Sequence, residues 1–163
     1  MCESIRRAIR IANDQSRRAL AVRPPAVDGT RAGVLDLVDT DVDILFANEH
    51  EFTSLYETDD LDTAFNAVIP LVKVAACTRG EHGAVIAGDG ETHVIPAEPA
   101  TQVVDTTGAG DLFAAGFLAG WTQGRGLHDC GRMGAVAAAE VISHLGARPE
   151  VDLRALVTEK VPT

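Results

Sequence analysis

The stretch Val103-Val104-Asp105-Thr106-Thr107-Gly108-Ala109-Gly110-Asp111-Leu112-Phe113-Ala114-Ala115-Gly116 decides how the chain reads. The two valines suggest the end of a short apolar strand. A turn of small residues follows, and from Gly110 onward the apolar residues are dense enough for a buried helix. Gly108 and Gly110 admit backbone angles that a side chain forbids, and small residues let a ligand approach the main chain. The amides of Gly108, Ala109 and Gly110 are expected to face outward from a helix N-terminus, where unpaired N–H donors and the helix dipole favour an anion. Asp111 lies at the same end, where a carboxylate is favoured in its ionised form. A base beside an oxyanion cradle suits transfer of a phosphoryl group to a hydroxyl. A plainer reading stands beside it, in which the glycines only make a turn and Asp111 only stabilises the first turn of the helix.

On either side of this stretch, strand and helix patterns alternate. Ser4 to about Gln15 has helical spacing, with Ser4 as N-cap. Ala19–Val22 reads as a short strand, stopped by Arg23-Pro24-Pro25. Residues 30–38 read as a helix, Asp43–Ala47 as a strand buried on both faces, and Glu49–Tyr56 and Asp60–Val68 as helices. Val72–Thr78 is a further strand, and Gly88-Asp89-Gly90 is a hairpin signal between Gly83–Ala87 and Thr92–Ile95. Beyond the opening stretch, the helix from about Gly110 to Thr122 is apolar nearly all round and is expected to be central. A second Ala-rich helix runs from Leu127 to about Ser143, and Val151–Val157 closes the chain. Such alternation predicts an α/β fold with a mainly parallel sheet, in which ligands gather beyond the carboxyl ends of the strands. Asn48–Glu51, Thr78–Gly83 and Asp105–Asp111 all fall at such ends.

The 163 residues are enough for one domain with a sizeable core, and the chain is read as a single α/β domain over 1–163. Aromatic residues are only 4%, so that core must be mostly Ala, Val, Leu and Ile. A formal charge of −10 argues against nucleic acid or acidic membranes as partners, but not against a nucleotide held by local amides and a metal. Cys2, Cys77 and Cys130 form neither a disulfide framework nor a metal cluster, which points to a reducing cytoplasm. The start lacks the apolar run of a signal peptide, and no apolar run is long enough to span a membrane.

The string Asp105-Thr106-Thr107-Gly108-Ala109-Gly110-Asp111 resembles the D-T-x-G-A-G-D signature of the ribokinase-like, or PfkB, carbohydrate kinase family. Asn48-Glu49-His50-Glu51 is similar to that family's N-x-x-E motif, and Thr78-Arg79-Gly80-Glu81-His82-Gly83 to its T-x-G-x-x-G turn, in the family's order. Within the family, the first of these and the ending Val141–Pro149 look most similar to adenosine kinase-like sugar kinases. The resemblance implies a ribokinase-like three-layer sandwich, of which this chain would hold only the C-terminal half, without the early strands, the lid and most acceptor contacts.

The resemblance also implies roles. Asp111 would be the catalytic base, and Gly108, Ala109 and Gly110 the anion hole. Asn48, Thr78, Gly80 and Gly83 would bind ATP, and Glu51 would hold Mg2+ through water, in keeping with magnesium's preference for one or two carboxylates plus phosphate oxygens. Asp105 and Thr107 would help bind a monovalent cation, K+. Each role has a structural counterpart: Asn48 with Glu51 is also close to a capping box, Thr78–Gly83 to an ordinary turn, and Asp105 to a side chain satisfying nearby amides. The Gly134–Ala139 stretch would border adenine, although its small residues suit helix packing equally. His144 is the one histidine to watch, with a surface or cap role expected. The implied reaction phosphorylates a hydroxyl of a sugar or nucleoside with ATP. The alternative is a truncated, non-catalytic nucleotide-binding or self-associating module, since a sheet cut in mid-fold exposes an apolar edge.

Overall fold

In the computed structural model, which describes residues 19–21 and 30–162, most of the apolar runs become strands and the amphipathic stretches become helices. The helix expected at Ser4–Gln15 and the break at Arg23-Pro24-Pro25 lie outside the described residues. The chain divides into two units. The first holds the described residues up to Thr78 together with Ala87–Thr92, and the second holds Arg79–Ile86 and the described residues from His93 onward.

The first unit is built on three parallel strands, β1 (Ala19–Ala21), β2 (Ile44–Asn48) and β3 (Val74–Thr78), lying in that order. Ile44 to Ala47 and Val74 to Cys77 are all buried, as an unbroken apolar run in a parallel strand requires. Parallel pairing needs a crossover for each return. The crossovers here carry α1 (Thr30–Thr40), then α2 (Glu49–Tyr56) and α3 (Leu61–Val68). Phe52 of α2 meets Phe65 of α3 edge to face, with ring centroids 5.4 Å apart. Arg31 Nε donates to Leu55 O at 2.8 Å and so ties α1 to the end of α2. The register sets Ile44 beside Val74 and Asn48 beside Thr78, so β2 and β3 end level with each other.

β4 (Ala84–Gly88) and β5 (Glu91–Ile95) form the expected hairpin, and the division between the units passes through it. Asp89 and Gly90 both carry positive φ, 53° and 79°, as a two-residue turn of matching twist demands.

The rest of the second unit is helical: α4 (Ala109–Thr122), α5 (Leu127–Val141) and α6 (Leu153–Lys160). α4 and α5 touch through glycine. A Cβ on Gly116 would stand 2.5 Å from the Met133 carbonyl oxygen, and one on Gly134 would stand 2.7 Å from that of Phe113. The absence of a side chain at Gly134 is thus explained by packing. Met133 and Val136 of α5 meet Val157 of α6 and Val161 in a small apolar cluster. Burial, and then the neighbouring Asp129, push the Cys130 thiol up to about 11, which leaves it protonated at neutral pH.

Two expectations change. α4 is not buried all round: Asp111, Ala115 and Ala119 are exposed while Phe113, Phe117 and Gly120 are buried. Alanine tolerates either environment, so a run of alanines does not mark a buried face. Val103 and Val104 do not end a strand. They are exposed, and the amides of Val104 and Asp105 donate to Ile142 O at 2.8 and 3.4 Å, so a helix end takes the place of a neighbouring strand.

Candidate functional site

In the first unit, the ends of β2 and β3 bring Asn48 and Thr78 side by side. Asn48 leaves the strand in extended conformation and caps α2. Its Oδ1 accepts from Glu51 N at 2.9 Å, and Glu51 Oε2 accepts from Asn48 N at 2.7 Å. The capping box is therefore present in full. Any cation held by Glu51 shares its carboxylate with this cap. Among the described residues no group of three or more His, Cys, Asp or Glu could hold a metal ion. Glu51 therefore fits only an ion that draws most of its ligands from phosphate and water, and magnesium does so.

In the second unit, the residues after β3 make a closed turn. Arg79 N donates to Gly83 O at 2.7 Å and Gly83 N to Gly80 O at 3.1 Å. Gly80 has φ 54° with open space at its Cβ position. Gly83 has φ 81°, and a Cβ there would lie 2.0 Å from Ile95 O. Gly83 is thus required by the contact with β5, with its amide already used inside the turn.

The Asp105–Asp111 turn is braced from a distant loop. The Asp105 carboxylate accepts from Thr107 N at 2.9 Å through Oδ1 and from Gly146 N at 3.0 Å through Oδ2. The Thr107 hydroxyl, the Thr107 amide and the Gly146 amide together hold the Asp105 carboxyl below the usual carboxylate range. Gly108, at φ 84°, is the N-cap of α4, and a Cβ on it would fall 2.6 Å from Ala147 Cβ. Of the three amides expected to face outward, that of Ala109 turns back to Thr106 O at 3.2 Å, because Gly108 folds the chain into a tight turn. Gly110 is exposed at the mouth of the helix with open space around it, and Asp111 is exposed in the first turn.

Glu140 lies outside all three motifs. Its side chain is only 7% exposed, its Oε1 accepts from Glu150 N at 2.9 Å, and the same oxygen lies 3.2 Å from His144 Nε2. Burial opposes charge on His144, but the Leu145 carbonyl, Glu140 and Glu150 outweigh it and raise its pKa above the ordinary histidine value. His144, expected at the surface or in a cap, is thus mostly enclosed, at 13% exposure. The available signal was the Glu140–His144 spacing of one helical turn at the end of an Ala-rich helix.

Residues 1–153 match the sequence profile described as pfkB family carbohydrate kinase. The chain belongs to the pfkB family of carbohydrate kinases. Among pfkB relatives, the cytidine kinase of Thermococcus kodakarensis is 38% identical over 119 residues, covering 71% of this chain and 42% of that protein. Among solved structures, the adenosine kinase of Sinorhizobium meliloti superposes with a TM-score of 0.86 and 42% identity, covering 96% of this chain and 49% of that one. The Arabidopsis thaliana ribokinase complexed with ribose and ATP gives 0.74 and 29%, covering 90% and 48%. The fold is therefore ribokinase-like α/β, and the chain spans less than half the length of each of these pfkB proteins. No helix among the described residues is long and apolar enough to cross a membrane.

Proposed function

We propose that this chain carries the phosphoryl-transfer half of an ATP-dependent kinase acting on a hydroxyl of a sugar or nucleoside. The observation that carries the reading is the glycine turn before α4, which sets Gly110 and Asp111 at an open helix mouth and is braced by Asp105 and Gly146. The cytidine, adenosine and ribose kinases among its relatives support the acceptor class. Asp111 takes the proton of the acceptor hydroxyl as its oxygen bonds to the γ-phosphorus. The bond to the β–γ bridging oxygen breaks, and ADP leaves with that electron pair. The Gly108 and Gly110 amides stabilise the charge on the transferred group. Asn48, Thr78 and Gly80 hold the nucleotide phosphates, while Gly83 gives that turn its shape. Glu51 would hold a Mg2+ that supplies charge neutralisation at the phosphates, and Asp105 with Thr107 would hold a K+ beside the turn. We place the chain in the cytoplasm, and nucleic acid and membrane surfaces are outside this reading.

The test measures ATP binding by calorimetry and ADP release in a coupled assay over a panel of sugars and nucleosides. Acceptor-dependent ADP release supports the kinase. ATP binding without it, for every acceptor, identifies a nucleotide-binding module instead, and the absence of both refutes each reading. A size measurement in solution tests self-association.

A further inference from the structure

We propose that Glu140 is a positioning residue for the glycine turn ahead of α4, acting through the loop 143–150; this rests on the kinase reading for its catalytic meaning, but not for its geometry. A carboxylate at 7% exposure is costly to bury. One of its oxygens, Oε2, makes no hydrogen bond. The other, Oε1, receives Glu150 N at 2.9 Å and stands 3.2 Å from His144 Nε2. A single oxygen atom therefore fastens both ends of the loop. Ser143 Oγ adds a bond to the Glu140 carbonyl at 2.6 Å.

The middle of the loop is what touches the turn. Gly146, at φ 90°, gives its amide to Asp105 Oδ2 at 3.0 Å. Ala147 lies so close to Gly108 that a Cβ there would collide at 2.6 Å. If the loop ends drift, both contacts open, and Gly108 loses the wall that sets its backbone. The Gly110 and Asp111 positions then spread over several orientations, and a reaction that depends on placement slows. Glu140 touches no reacting group in this scheme and acts through Gly146 and Ala147.

Hydrogen exchange followed by mass spectrometry on the full chain, without nucleotide, tests this directly. In Glu140→Ala, peptides covering 103–112 and 142–151 are expected to exchange about tenfold faster, the scale of one lost hydrogen bond. Peptides covering β2 are expected to be unchanged. Glu140→Gln keeps an acceptor for Glu150 N and is expected to stay within about threefold of the parent. Should Glu140→Ala fail to fold, His144→Ala removes the other partner, with an expected rise of about threefold over 103–112. Unchanged exchange over 103–112 in the folded variant overturns the proposal, as does a Gln variant no better than Ala. Because exchange is read without turnover, a chain that phosphorylates nothing leaves this result standing. Where turnover is present, Glu140→Ala is expected to lower kcat about tenfold, with the KM for ATP within about threefold, and an unchanged kcat overturns the positioning role.

Discussion

Asp105 and Gly146 lie 41 positions apart in the chain, yet the Gly146 amide meets the Asp105 carboxylate at 3.0 Å. The same carboxylate receives Thr107 N at 2.9 Å, so one side chain joins the turn before α4 to the loop after α5. Asp105→Ala is expected to lower the thermal midpoint and to speed exchange of the Gly146 amide. Asp105→Asn, which keeps an acceptor, is expected to do less of both. Equal effects from the two substitutions would mean that the charge, not the hydrogen bond, matters.

Asp111 is exposed in the first turn of α4. Asp111→Asn is expected to reduce turnover by about 10²–10⁴-fold, the usual worth of a positioned base. ATP affinity should stay within a few fold. Initial rates and calorimetry on the same preparation check both, and near-normal turnover rejects Asp111 as the base.

Gly116 and Gly134 let α4 and α5 approach until a Cβ would strike backbone oxygen at 2.5 and 2.7 Å. Backbone cannot move aside as a side-chain tip can. Gly116→Ala is expected to destabilise by about 1–3 kcal/mol, the cost of overpacking a filled interface. Gly110→Ala, with nothing within 4 Å, is expected to be far milder for folding. Urea unfolding of the two variants makes the comparison.

The capping box at Asn48 and Glu51 separates stability from metal use. Asn48→Ala is expected to cost about 1 kcal/mol through loss of the cap on α2. Glu51→Gln keeps the reciprocal bond to Asn48 N and is expected to leave the midpoint nearly unchanged while weakening Mg2+-dependent ATP binding. Magnesium dependence that is identical in parent and variant removes Glu51 from the metal site.

Asp60 caps α3, accepting from Thr63 N at 3.1 Å and from the Thr63 hydroxyl. The hydroxyl first, and then the amide, hold its carboxyl below the ordinary value. A depressed folded-state pKa contributes stability that is present above the unfolded value, about 4, and is lost as pH falls through the lower one. Asp60→Asn is expected to flatten that part of the acid limb. Thermal midpoints between pH 7 and 3 measure it, and an unchanged slope refutes the assignment.

Much of this was legible along the chain because its causes are local. The strands β2 and β3 follow from unbroken apolar runs, the hairpin from Gly88-Asp89-Gly90, and the cap at Asn48 from a carboxylate three residues on. The family followed from the three motifs in order, Asp105–Asp111 above all, and its profile matches residues 1–153. Where the sequence misled, composition stood in for geometry. Ala115 and Ala119 read as buried and are exposed, and Val103-Val104 reads as strand but hydrogen-bonds to the end of α5.

The sequence by itself determined which residues form the elements and where the chemistry-bearing turns fall, because helix and strand periods, turns and caps are set within a few residues. The tertiary structure alone decided what holds those turns still. Gly83 is needed because Ile95 O is 2.0 Å from where a Cβ would be, and Gly108 because Ala147 closes over it. Glu140 matters because the amide ten residues on and the imidazole four residues on return to one of its oxygens. Apart from the Glu140–His144 pair, one helical turn apart, such contacts depend on where the backbone comes back in space, and no local spacing rule encodes that return.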